Sequence, residues 1–317
     1  MDINQYKPRH KITKQRLFRL DNTPVEDIAE ILHNAKELKI KRQVGEQTKT
    51  LNNLNIALIT KHSFAKTRIV FELATKELAS NPLIIDLSGT DIEYILKDKD
   101  TVKSIESYGI SAFVIDTSLP SDAYVLKDYV NVPVINASSI DSPCSALATI
   151  LTIWEVKKSF KNLKVCLIGD FNNYDKCLVY GLIKLGADIS IVAPREHAPS
   201  EQLLSYCEQY GDIVHTDDIE FGIKNADVVY TTPHNFNSDY LVDQFAYSSA
   251  KENAMFHHPM PITRGVEVQS EIVDGPNSYI YKQTENLLHI EKAVLNLLLG
   301  KNKWVTIFMP LFPVWSI

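Results

Sequence analysis

Apolar positions recur along the chain in two alternating rhythms. The runs Leu54-Asn55-Ile56-Ala57-Leu58-Ile59-Thr60 and Leu83-Ile84-Ile85-Asp86-Leu87 are nearly continuous, as in strands buried on both faces. Ala112-Phe113-Val114-Ile115 and Val132-Pro133-Val134-Ile135-Asn136 repeat that pattern. Amphipathic stretches lie between the strands. Asp21 to Lys39 places Ile28, Ile31, Leu32, Ala35 and Leu38 at helical spacing, with Asn22-Thr23-Pro24 supplying the cap and first turn. Thr67 to Ala79 does the same with Ile69, Val70, Leu73, Ala74 and Leu78. Ser142 to Lys158 predicts a long helix that bridges two halves, with Pro143 near its N-terminus. The rhythm then restarts. Val165 to Asp170 predicts a strand ending in a turn, and a helix through Leu178, Leu182 and Leu185 ends at Gly186. Asp188 to Ala193 and Asp227 to Thr231 continue the sheet, and a closing helix from about His289 to Leu299 stops at Gly300. Strands alternating with helices predict an α/β fold with parallel, two-sided sheets. The expected division is residues 1–150 and 151–317, with the last helix, about 289–299, packing back on the first domain.

Length agrees with that division, because 317 residues suit two cores better than one. A net charge of −6 excludes nucleic acid as a partner, which requires an excess of Lys and Arg. The basic run Lys7-Pro8-Arg9-His10-Lys11 reads as solvated surface. Cys144, Cys166, Cys177 and Cys207 fit neither a zinc site nor a disulfide framework, so free thiols in a reducing cytoplasm are expected. No metal or cofactor is expected. No apolar run approaches the ~20 residues of a spanning helix, and the polar start Met1-Asp2-Ile3-Asn4-Gln5 has no signal core. No membrane partner is therefore expected. The end of the chain, residues 305–317, is almost wholly apolar but short and broken by Pro310 and Pro313. It reads as packing on the body or on a neighbouring subunit, or as a sequence scar.

Parallel sheets bind ligands beyond the carboxyl ends of their strands. The informative loops are thus Thr60–Thr67, Asp116–Pro120, Asn136–Pro143, Gly169–Tyr174, Thr231–Asp239 and His257–Gly265. Several of them, in this order, resemble the aspartate/ornithine transcarbamylases. His257-His258-Pro259-Met260-Pro261, followed by Arg264-Gly265, resembles the family's His-Cys/Pro-Leu-Pro loop and its Arg-Gly. Gln283-Thr284-Glu285-Asn286-Leu287-Leu288-His289 resembles Gln-Ala-Glu-Asn-Arg-Leu-His. Gly169-Asp170-Phe171-Asn172-Asn173 resembles the Gly-Asp-Gly-Asn-Asn turn of the ornithine enzymes, and it lacks the glycines of a dinucleotide fingerprint. Val134-Ile135-Asn136 with Pro143, and Thr67-Arg68 with Phe71-Glu72, complete five matches in register. The resemblance implies two Rossmann-like domains in the transcarbamylase fold and a homotrimer with sites between subunits. It also implies a carbamoyl-phosphate site on a helix N-terminus and attack by an amino acid on the carbamoyl carbon.

The side chains that would read that donor differ from the family pattern. Phe64-Ala65-Lys66-Thr67 stands for Ser-Thr-Arg-Thr, and Asp116 stands for an arginine. Ser142-Pro143-Cys144-Ser145 stands for His-Pro-x-Gln, and Leu287 for another arginine. On the amino-acid side, Thr232-Pro233-His234-Asn235-Phe236-Asn237-Ser238 replaces Asp-x-Trp-x-Ser-Met-Gly, whereas Asn173, His258, Pro259 and Met260 still match ligand-contacting positions. His258 is the candidate catalytic residue, and Arg264 is a candidate carboxylate partner or a structural ion pair. Lys66 with Arg68 could form an anion site, with Lys66 the better candidate. Asp116 reads as a general base, an amine anchor or a plain loop carboxylate. His257 reads as incidental, and His62 and His234 face the same cleft. Two functions follow from the resemblance. One is a binding protein for an amino-acid-like or anionic ligand, with a degenerate donor pocket and little carbamoyl transfer. The other is an active carbamoyltransferase or related transferase on an amino acid such as ornithine, with altered donor or acceptor specificity.

Overall fold

A computed structural model describes residues 2–13, 15–60, 65–87, 98–117, 121–137, 140–171, 175–234 and 236–300. The first half holds β1 (Asn55–Thr60), β2 (Asn81–Asp86), β3 (Ile110–Asp116) and β4 (Val134–Asn136), all parallel, in the order β2-β1-β3-β4. Helices α1 (Val25–Gln43), α2 (Ala65–Glu77), α3 (Lys99–Ser107) and α4 (Ser121–Leu126) accompany them. Helix α5 (Pro143–Lys157) leads to the second sheet. There β5 (Lys164–Ile168), β6 (Asp188–Val192), β7 (Ile213–Thr216), β8 (Val228–Thr231) and β9 (Met255–His257) run parallel in the order β7-β6-β5-β8-β9. Helices α6 (Lys176–Leu185), α7 (Glu201–Cys207), α8 (Ile219–Ile223), α9 (Gln244–Ser248) and α10 (Ser270–Val273) belong to this half. Helix α11 (Ile280–Leu299) crosses back and packs against α1, α2 and α5. One apolar core runs through both halves, from Leu32 and Ile56 through Leu147 and Leu182 to Ile290. The predicted strands are present, and the two-sheet α/β architecture is as the alternating rhythm requires.

The differences have local causes. Helix α1 starts at Val25 with Pro24 at its N-cap and no side-chain cap. The expected Thr23 hydroxyl instead donates to the Arg19 carbonyl at 2.7 Å. Helix α11 starts at Ile280, well before His289. Its first turns look polar, but the polar groups face inward. Lys39 Nζ donates to Glu155 and to Asn286 Oδ1, both at 2.7 Å. Asn286 Nδ2 in turn donates to Thr152 at 2.9 Å and to Glu155 at 3.0 Å. This network ties α11 to α1 and α5, and each buried polar group in it has a partner. Strand β7 is partly exposed along its length and shows no buried apolar run, and β9 spans only three residues.

Helix α5 begins as its sequence dictates. Ser142 is the N-cap, its hydroxyl accepts the Ser145 N–H at 3.3 Å, and Pro143 occupies the first turn. Ser142→Ala is expected to cost about 1 kcal/mol in urea denaturation, the usual value of a lost N-cap.

Candidate functional site

Segments beyond the carboxyl ends of the two sheets meet, because Lys66 after β1 reaches Pro259 after β9. In the second sheet, β5 has β6 on one side and β8 on the other, so the crevice lies between the ends of β5 and β8. Gly169 follows β5 with φ 140°, and Thr232 follows β8. A Cβ at Gly169 would lie 1.9 Å from Thr232 Oγ1. Glycine is required there for both φ and closeness. The side chain of Thr232 is consequently buried as packing, with only a 3.5 Å contact to the Pro233 carbonyl.

Lys66, in the first turn of α2, reaches across the domains. Its Nζ donates to the Pro259 carbonyl at 2.7 Å. Three buried carboxyls lie within its electrostatic range: Asp175 at the N-cap of α6, Glu291 on α11 and Asp116 at the end of β3. Burial pushes all three upward, against the attraction of Lys66. Asp116 rises to about 7. Glu291 rises to about 8, with the neighbouring Asp116 adding to burial. Asp175 rises to about 7, although the Tyr230 hydroxyl donates to it at 2.8 Å. Burial lowers the Lys66 ammonium despite the three acids. Near neutral pH the cluster therefore holds protons that exposed carboxyls would release.

The loop after β9 is held by histidine and glutamate. His258 Nδ1 accepts the Met260 N–H at 3.0 Å, which leaves the proton of the neutral ring on Nε2. Nε2 faces Glu267 Oε2 at 3.4 Å, a long contact that does not count as a strong hydrogen bond. Burial pushes Glu267 up, but His258 and the Thr263 N–H, which donates at 2.6 Å, outweigh it and keep the carboxyl ionised. His258 itself is lowered by burial, against the pull of Glu267. His234 is lowered by burial to about 4 and lies in the field of the same Glu267 and His258. Met260 sits at φ 61° and, like Ile262 and Phe236, packs against a smaller apolar cluster of the second sheet that includes Val242, Phe256 and Val268.

The structure gathers Lys66, Asp116, His258, Pro259 and Met260 around one junction. The N-terminus of α5 flanks it, with Ser142 and Ser145 engaged in the cap. Thr67 is buried in α2, Ala65 opens that helix, and Leu287 lies in the core one turn before Glu291. Phe236 stacks on His234 at 4.6 Å and meets His197 at 4.9 Å, beside an open cleft of about 450 Å³. Asn237 donates to Asp239 at 3.1 Å. Arg264 stands apart, in a two-pronged ion pair with Asp274 at 2.6 and 2.8 Å near the surface. Arg68 pairs with Glu72 within α2. His257 is buried against Gln283. Phe64, His62, Asn173 and the tail 305–317 lie outside the described residues. Sequence reasoning passed over Glu291, Asp175 and Glu267. A charged residue inside the apolar run Leu287-Leu288-His289-Ile290-Glu291 was the available signal. Among the described residues, no group of three or more His, Cys, Asp or Glu is placed to hold a metal ion. No helix among them is long and apolar enough to cross a membrane.

Comparison with known proteins covers both halves. Residues 15–155 match the aspartate/ornithine carbamoyltransferase carbamoyl-P binding domain, and residues 161–298 match the Asp/Orn binding domain. Ornithine carbamoyltransferase of Pyrococcus abyssi is 33% identical over 299 residues, spanning 88% of this chain and 94% of that protein. The Anoxybacillus flavithermus protein of the same name is 34% identical over 292 residues, spanning 85% and 92%. The solved ornithine carbamoyltransferase of Pyrococcus furiosus superposes with a TM-score of 0.83 at 32% identity, covering 91% of this chain and 98% of that one.

Proposed function

The chain belongs to the aspartate/ornithine carbamoyltransferase family, and from that premise we propose an amino-acid-binding transferase whose donor half is rebuilt for a group other than carbamoyl phosphate. The observation that carries this is Lys66, half-buried at the domain junction in the electrostatic field of the buried carboxyls Asp116, Glu291 and Asp175. Buried charges are costly and persist where they do chemistry or hold a specific geometry. A pocket under no demand would tolerate apolar replacements there. Above about pH 8, where its carboxyls ionise, the same cluster disfavours a phosphate dianion. It offers one cation, already bonded to the Pro259 carbonyl, against three acids.

In this account the acceptor amine attacks the donor's carbonyl-type carbon as the donor's leaving group departs. Lys66 and Asp116 hold the donor. Phe236 and Asn237, with Asn173 and Met260, hold the amino acid. His258 and Glu267 act as positioning residues, since both ring nitrogens of His258 face partners within the loop. The names of the relatives suggest an acceptor of ornithine's kind. A cytoplasmic, homotrimeric protein accompanies this proposal. All four cysteines are free and buried, which suits a reducing compartment. Ile69, Leu73 and Leu83 are exposed on α2 and β2, where a second copy could cover them. A second reading, a silent binding protein, draws support from Ser142, whose hydroxyl serves the helix cap by accepting the Ser145 N–H.

The test is saturable binding of L-ornithine and related amino acids, with product formation followed across a donor panel. Lys66→Ala and Asp116→Ala should each abolish product with any productive donor. Unchanged turnover and ligand signals in both variants would sink the proposal. Amino-acid binding without product from any donor would favour the silent reading.

A further inference from the structure

Helix α6 belongs to the second half by sequence, yet the first half holds it at both ends. At its C-terminal end Lys184 is 8% exposed, and its ammonium donates to three carbonyls, those of Leu20 and Asp21 at 2.6 Å and of Thr23 at 2.7 Å. An ammonium has three N–H donors, so all of them are used. The Tyr206 hydroxyl of α7 donates to the same Asp21 carbonyl at 2.7 Å. At the N-terminal end the Cys177 N–H donates to Asp141 Oδ1 at 2.8 Å, and the Asp175 N–H donates to the Ile140 carbonyl at 3.0 Å. The middle of the helix is as close. A Cβ at Gly181 would lie 2.5 Å from Ile150 Cδ1 of α5 and 3.0 Å from Leu20 Cδ1.

The strap that Lys184 holds, residues 17–23, is itself fastened to β4. The Leu17 N–H donates to the Val134 carbonyl at 3.2 Å, and the Leu17 carbonyl accepts the Asn136 N–H at 2.9 Å. Asn136 Nδ2 bridges the Phe18 and Asp141 carbonyls, both at 3.0 Å. Hydrogen bonds thus run from the carboxyl end of β4, just before α5, through the strap to the second half. A buried ammonium is costly. Here carbonyl dipoles and the ring faces of Tyr206 and Tyr210, 5.7 and 5.9 Å away, stand in for its hydration. Apolar packing alone needs no charge at this place. The charge adds direction, because three bonds converge on one atom and fix the strap against α6. At the mouth of the junction, by contrast, Lys66 contributes a single bond, to the Pro259 carbonyl.

We infer that Lys184 and the strap 17–23 form an interdomain clamp that sets how far apart the two halves of the site stand, with Lys184 a positioning residue for ligand binding at the junction. The clamp itself stands on the hydrogen bonds, and its effect on amino-acid affinity rests on the function proposed above.

Spin labels at Glu46→Cys in the first half and Phe245→Cys in the second read the distance between the halves by pulsed EPR. Both positions are exposed, and the four native cysteines are buried. The labelled full-length protein is expected to give one narrow distance. Lys184→Met keeps the stem and removes the donors. It should still unfold in one cooperative urea transition but give a broader distribution, with L-ornithine bound about tenfold less tightly. Tyr206→Phe removes one bond and should broaden the distribution less. A distribution in folded Lys184→Met as narrow as the wild type's overturns the inference, since a lysine that only stabilises its own helix lowers the denaturation midpoint without moving the halves. If Lys184→Met does not fold, Tyr206→Phe decides, and an unchanged distribution there overturns the clamp. Broadening with unchanged ornithine affinity overturns the positioning role. Broadening in a protein that binds no ornithine upholds the clamp and counts against the function proposed above.

Discussion

Gly169→Ala should destabilise the protein by about 2–6 kcal/mol. About 1–3 kcal/mol comes from forcing an L-residue to a φ that only glycine adopts readily, and about 1–3 from overlap in a packed interior. The overlap is specific, since the added Cβ would sit 1.9 Å from Thr232 Oγ1 and 3.0 Å from Thr232 Cβ. Thr232 is fully buried and cannot swing into solvent. Urea denaturation of Gly169→Ala, Thr232→Ala and the double variant separates the two causes. Removing the hydroxyl should restore part of the lost stability in the double variant, and the φ cost should remain. Simple additivity of the two substitutions would show that the β5 and β8 ends do not touch in this way. The same contact sets the floor of the crevice, so the double variant should also bind the amino-acid ligand less tightly than the wild type.

Lys66→Met should be neutral within about 1 kcal/mol at pH 6 and destabilising at pH 8.5, by about 1.4 kcal/mol for each pKa unit by which its charge lowers Asp116 and Glu291. Asp116 and Glu291 titrate in the folded protein at about 7 and about 8, above the ordinary carboxylate range. The folded state therefore keeps protons that the unfolded chain releases above about pH 4. Their contribution to stability falls as pH rises from there and levels off above the folded values. At pH 6 both are mostly protonated, so Lys66 has little negative charge to attract and its own burial is unfavourable. At pH 8.5 they ionise, and Lys66 is the cation that limits the cost. Its loss must be felt on the alkaline side. Chemical denaturation of wild type and variant from pH 5.5 to 9 checks this. A difference that is constant with pH would show that Lys66 acts through packing and its bond to Pro259 alone.

Much of the fold was legible because it rests on periodicity. Near-continuous apolar strands and helices with one apolar stripe leave few alternatives once they alternate. The start of α11 was not legible for the same physical reason that it is stable. Gln283 and Asn286 are polar, and polar residues ordinarily face water, but here they are buried and hydrogen-bonded to His257, Lys39, Thr152 and Glu155. Only tertiary contacts supply those partners. The site was legible in outline. The strand-end rule brought Lys66, Asp116 and His258 to one junction before any geometry was available. Glu291 and Asp175 escaped because each sits in or beside a helix in a sequence that reads as ordinary surface charge. Their burial depends on α11 folding back over α2 and α5 and on Tyr230 reaching Asp175. Arg264 illustrates the opposite limit. Its motif places it in a ligand loop, whereas its guanidinium is paired with Asp274.

Central to the proposed function is a donor half in which Asp116 and Leu287 stand where the family pattern carries arginines, so that it no longer reads carbamoyl phosphate. Calorimetric titration of carbamoyl phosphate into the wild type and into an Asp116→Arg/Leu287→Arg variant tests it most directly. The account predicts no saturable heat in the wild type up to millimolar ligand. It predicts measurable binding in the variant, where two arginines return to the positions that carry them in the family pattern. Tight, saturable binding of carbamoyl phosphate by the wild type, with ornithine-dependent release of phosphate, would contradict it.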